Sequence, residues 1–116
     1  MTNIDIFLDR IESNGIVVGT NHAGDIPLGT VFTELAKIQR ELDPGGDVST
    51  STELWSKPIS LRLVEAIIFY TKSIQVIPCG WSAGMRLEGS GTEEIAIALG
   101  GKKKGEFIHL RVGKIT

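Results

Sequence analysis

Apolar side chains recur at every second position through one short segment of this chain after another. Met85 and Leu87 alternate with Arg86 and Glu88, and Ile95, Ile97 and Leu99 alternate with Ala96 and Ala98. Ile108, Leu110 and Val112 alternate with Phe107, His109 and Arg111. A period of two puts such residues on one face of a pleated strand. Glycine clusters separate the segments: Gly89-Ser90-Gly91, then GGKKKG over residues 100–105. Ile, Val and Thr supply 31 of the 116 residues, and there are 14 glycines. β-Branched side chains suit a pleated surface, and glycine suits its turns and bulges. About seven or eight short strands and no certain helix are expected. The fold class is all-β, a small closed or partly open antiparallel barrel of about six to eight strands.

Residues 3–11 fit either a strand or a helical face, and the turn that follows (ESNG) favours a strand. Residues 15–20 (GIVVGT) read as a buried strand, and residues 21–28 as a loop punctuated by Gly24 and Pro27. A strand over 29–35 is expected to decay into a helical turn, because Leu35, Ile38 and Leu42 have helical spacing. Residues 39–57 read as a long surface loop. Within it lie a turn at Asp43-Pro44-Gly45-Gly46 and a Thr50/Glu53 capping box for one helical turn around Leu54 and Trp55. Residues 58–70 are the longest strand, with Ile59, Leu61, Leu63, Ile67 and Phe69 on one face and Glu65 interrupting it. In residues 73–79 the apolar positions shift parity, which suggests a bulge near Pro78. One domain, residues 1–116, is expected, with no repeat and no linker.

The formal net charge of −2 argues against nucleic acid as a primary ligand, because phosphate binding needs a basic excess. A single cysteine excludes an intramolecular disulfide and any multi-cysteine zinc site. No apolar stretch reaches the ~20 residues of a membrane helix, and the N-terminal segment lacks the apolar run of a signal peptide. The expected location is the cytoplasm.

The order FLDRIESNGIVVGTNHAGDIPLGTVF, a loop, then ISLRLVEAIIFYTKSIQVIPCGWSAGMRLEG resembles the second domain of translational GTPases, the β-barrel of elongation factor Tu and its relatives. The matching positions are Gly15, Val17, Val18, Gly19, Gly24, Gly29, Gly80, Leu87 and Gly89, over roughly residues 4–90. The resemblance implies a barrel. It implies no GTP hydrolysis, because no G-x-x-x-x-G-K-[ST] loop occurs.

His22 lies in a loop with Asp25 nearby and reads as an exposed histidine; as chemistry, it would be a general base or one metal ligand. Only two histidines exist, in no HxH or HExxH spacing, so no metal and no cofactor is expected. His109 falls on the face opposite Ile108 and Leu110, which places it in solvent. Cys79 reads as a buried small hydrophobe. Lys102-Lys103-Lys104 reads as a solvated hairpin tip, or as a contact to phosphate or an acidic partner. Gly24–Gly29 and Gly89–Gly91 read as turns, since neither joins a strand to a clear helix. Trp55 and Trp81 sit in irregular segments, where they would anchor an interface or cap the barrel core.

With no acid–base constellation, the expected function is a non-catalytic module that binds a protein partner. Its concrete versions are an immunity- or antitoxin-like protein and a translation-associated adaptor. Partner contact is assigned to Trp55, Trp81, Lys102, Lys103 and Lys104. The alternative is a small-molecule site or enzyme at one barrel end, built from His22, Asp25, Glu65, Cys79 and Trp81. There Glu65 would be buried with a perturbed pKa, unless a bulge turns it outward.

Overall fold

The computed structural model describes residues 4–42, 49–69 and 71–112. Asn3, the Asp43-Pro44-Gly45-Gly46 turn and Tyr70 lie outside the described residues. Along the chain come β1 (Asp5–Ile11), β2 (Val17–Asn21), β3 (Ile26–Pro27), β4 (Val31–Leu42) and β5 (Ser49–Ile68). They are followed by β6 (Lys72–Ile74), β7 (Val76–Ile77), β8 (Ser82–Ser90), α1 (Thr92–Gly100) and β9 (Glu106–Arg111).

The main sheet runs β4-β9-β1-β2-β8-β5, and β5 pairs back onto β4 to close the circuit. Every pairing in it is antiparallel. Alternation explains the interior. Ile6, Val17, Phe32, Leu61, Met85 and Leu110, one from each of the six strands, are buried in a single core. Closing six strands into a barrel requires strong local bending, and bulges supply it. β5 carries three register shifts, two against β4 and one against β8 between Leu63 and Glu65. β1 carries another between Leu8 and Arg10. The expected antiparallel barrel is what forms. No helix among the described residues is long and apolar enough to cross a membrane.

Several readings of local structure are corrected. Residues 39–42 and 49–57 are not loop but the far ends of β4 and β5, paired from Leu35↔Lys57 out to Leu42↔Ser49. The helical spacing of Leu35, Ile38 and Leu42 goes unused, because β9 and β5 hydrogen-bond β4 from both sides. The Thr50/Glu53 capping box goes unused as well, since the Glu53 carboxylate instead pairs with Arg111. Residues 92–100 are a helix rather than a strand. Ile95 and Ala98 share a helical face as readily as Ile95 and Ile97 share a strand face. The choice falls to helix because Ala96, Ala98 and Leu99 are good helix formers and Glu93 and Glu94 in the first turn favour its positive end. Ile95 and Ala98 enter the core, leaving Ile97 exposed.

In β5 the inward set switches from Leu61 and Leu63 to Ala66 and Ile68, because the bulge inserts one residue. Phe69 therefore leaves the interior face assigned to it. The break in residues 73–79 falls at Gln75, between β6 and β7, rather than at Pro78.

Candidate functional site on the barrel wall

The register of β1, β9 and β4 sets Phe7 beside His109 and His109 beside Ala36, with Asp5, Arg111 and Glu34 in the next row. This is the face opposite Ile108 and Leu110, so the parity read from the sequence holds. The inference that His109 is solvated does not hold, for it is only 1% exposed. A second layer is the physical reason. The His22 ring stands edge-on to His109 at 5.4 Å between centroids, and the Phe7 ring lies 6.1 Å away. His22 itself packs on Phe7 at 5.4 Å.

Asn21 presents His22. It ends β2, is fully buried, donates from Nδ2 to the carbonyls of Gly24 and Ile77, and accepts from the Ala23 amide at Oδ1. The next residue, His22, thereby leaves the ladder and turns over the sheet toward β1.

Asp5 stands at the centre. Its Oδ1 is 2.8 Å from His109 Nδ1 and 3.6 Å from His22 Nε2. Arg111 stands beside it across the strands and is itself tied to Glu34 and Glu53. Burial alone raises the Asp5 pKa. The His109 hydrogen bond and the positive charge available on His109, His22 and Arg111 outweigh that, so the carboxyl titrates below its ordinary range. A carboxyl with a depressed folded-state pKa stabilises the fold above the unfolded-state value and loses that contribution as pH falls through the folded-state value. In metal-free buffer, Asp5→Asn is therefore expected to be less stable than wild type at neutral pH. The gap should begin to narrow below the ordinary aspartate value of 3.8 and close as the pH falls through the lower folded-state value. Denaturant unfolding of both chains from pH 7 to pH 2 checks this. A gap that stays constant with pH would mean that the Asp5 charge is not what the fold uses.

His109 is poorly placed to act as a general base on an external substrate. With Nδ1 on Asp5, catalysis would have to use His109 Nε2, and that atom is buried. His22 is the cluster's solvent-facing member.

The other sequence-predicted residues are brought together only in part. Asp25 does not meet His22; its Oδ1 accepts the Cys79 amide at 3.3 Å. Cys79 is exposed, not buried, because it sits in the Pro78–Trp81 turn outside the core. Glu65 faces outward at the β5 bulge and pairs with Arg86 at 3.4 Å, so the proposed barrel-end constellation is not assembled. Trp81 is 45% exposed and, with Phe69, lines a groove of about 740 Å³ beside the ends of β2 and β8. Trp55 is half-buried against the core, with Lys57 Nζ 4.8 Å above its ring. Lys102, Lys103 and Lys104 are exposed, and Lys102 Nζ lies 5.7 Å from the Phe107 ring centroid.

Sequence reasoning missed Asp5 altogether. The only available signal was its place one alternation step before Phe7, and it takes the β1–β9 register to turn that into proximity with His109. No family model, curated protein or solved structure matches this chain.

Proposed function

We propose that this chain is a non-catalytic module that binds a protein partner by accepting an extended segment along the outer edge of β5. The observation that carries the reading is a run of strand with one side unfilled. Beyond Ile59, β5 is paired with β8 from Ser60 to Ile67, with β4 opposite at Leu61 and Arg62 and with β6 from Ala66 to Ile68. From Ser49 to Ile59 it is paired only with β4 among the described residues. The side chains at 51–54 and 56–58 are exposed. Such an edge offers a row of unused N–H and C=O groups, which an extended peptide satisfies by strand addition. Lys57 and Pro58 blunt one end of it, which restricts pairing to the Ser51–Ser56 stretch. Trp55 lies in that stretch and provides an aromatic contact. An immunity-like neutraliser and a translation-associated adaptor are both versions of this reading. The first rests on small size and slight acidity, the second on the resemblance to the translational GTPase barrel.

The test places a photo-crosslinkable residue at each position from 51 to 56 in turn, in the native host. Strand addition predicts one partner protein, captured with yields that alternate from position to position, because successive side chains point to opposite faces. Flat yields along the run, or no adduct at any of the six folded variants, would sink the proposal.

A further inference from the structure

We propose that Asp5, His22 and His109 bind one divalent cation of the borderline class, of which zinc is the representative, at a site independent of the β5 edge. Two imidazoles and one carboxylate form the donor set. Imidazole favours zinc, cobalt, nickel and copper over calcium and magnesium, which take oxygen ligands.

The three residues offer donor atoms that all lie within 4.8 Å of one another. A tetrahedral ion with bonds of about 2.0–2.1 Å holds its ligands about 3.3 Å apart. Two of the present separations, 2.8 Å and 3.6 Å, already bracket that value. Asp5 and His109 are held by the β1–β9 ladder. The ligand that must move is His22, which lies beyond the end of β2 and is 35% exposed in its side chain.

A separate observation points to a missing partner. His109 Nε2 is buried and makes no hydrogen bond among the described atoms. Buried polar atoms are rarely left so, and one that is commonly marks a water that belongs there. With its proton on Nδ1, the ring has a free lone pair at Nε2; with the proton moved to Nε2, the lone pair is at Nδ1. Only Nδ1 lies against Asp5, so the cation takes the tautomer with its proton on Nε2. Binding through Nδ1 displaces the proton now shared with Asp5, and the ring then carries its proton on Nε2.

The local charge favours a cation. Three carboxylates, Asp5, Glu34 and Glu53, share the one guanidinium of Arg111, so the surroundings stay net negative when both histidines are neutral. Three protein ligands leave a further coordination position, which water fills on the exposed His22 side.

The experiment is calorimetric titration of the chelator-stripped full chain with zinc chloride, for wild type, His22→Ala and Cys79→Ser. His22 is at the surface, so its removal leaves the core intact. Wild type and Cys79→Ser are expected to bind one equivalent with equal affinity. His22→Ala should bind about 100-fold more weakly, as expected when a site loses part of its ligand support. Zinc should raise the thermal midpoint of wild type and not that of His22→Ala. With cobalt in place of zinc, the absorption spectrum should lack a thiolate charge-transfer band. The proposal is overturned if wild type shows no saturable site. It is overturned equally if His22→Ala binds as wild type does, or if Cys79→Ser abolishes binding.

Discussion

Gly89→Ala is expected to cost about 4 kcal/mol of folding stability, the combined cost of backbone strain and overpacking. The reason lies where β5 changes partners. Gly89 of β8 pairs with Leu61, at the point where β5 is flanked by β4 on one side and β8 on the other. Gly89 has φ +136°, and a Cβ placed there would stand 2.0 Å from the Ser60 carbonyl oxygen and 3.1 Å from its carbon. Both obstructing atoms are backbone, so no rotamer change relieves the clash. The strands must part, and they are two of the six that close the barrel.

Gly15→Ala is the control. Gly15 also has positive φ, +85°, but a Cβ there meets nothing within 4 Å. Only the left-handed backbone penalty of about 1 kcal/mol is expected for it. Denaturant unfolding of the two variants separates conformation from contact. If Gly89→Ala lost no more than Gly15→Ala, the close approach of β8 to β5 would not exist in solution.

Gly89 was visible in the sequence as a turn residue, and the alternation around it as strand. What made the barrel legible was the period of two in β1, β8 and β9, which survives any long-range arrangement. What hid the rest was each case in which a distant partner decided. Ile95 and Leu99 fit both periods, and packing of Ile95 and Ala98 in the core chose the helix. Leu35, Ile38 and Leu42 had helical spacing, but strands on both sides overrode it. Glu65 left the interior face through a bulge that no local residue announces. The candidate site was the least legible. His109 has the parity of a surface residue and becomes buried because His22 and Phe7 cover it from elements far away in the chain. Asp5 becomes its partner through a register that spans more than 100 residues of sequence. Chemistry assembled from three strands and a loop leaves no spacing motif to find.

The residue that brings the loop to the strands is Asn21, and Asn21→Asp is expected to cost about 3–4 kcal/mol at neutral pH, the scale of a buried charge left without a donor. The substitution changes almost no volume, so packing is preserved. It replaces the Nδ2 group, which donates to Gly24 O at 2.8 Å and Ile77 O at 2.9 Å, with an oxygen that cannot donate when ionised. Two carbonyls would then face a carboxylate in a fully buried position. Protonation restores one donor, so the folded protein would hold this new carboxyl protonated to higher pH than the unfolded chain does. By linkage, the deficit relative to wild type is largest above the folded-state pKa and shrinks as the pH falls below it. A pure packing defect, by contrast, does not change with pH. Asn21→Asp should also release the loop that presents His22, so its affinity for zinc should fall with its stability, whereas Gly15→Ala keeps wild-type affinity. Denaturant curves at pH 7 and pH 5 and a zinc titration decide the matter. A loss below 1 kcal/mol with unchanged zinc affinity would show that the Asn21 bonds do not hold His22 over β1 and β9.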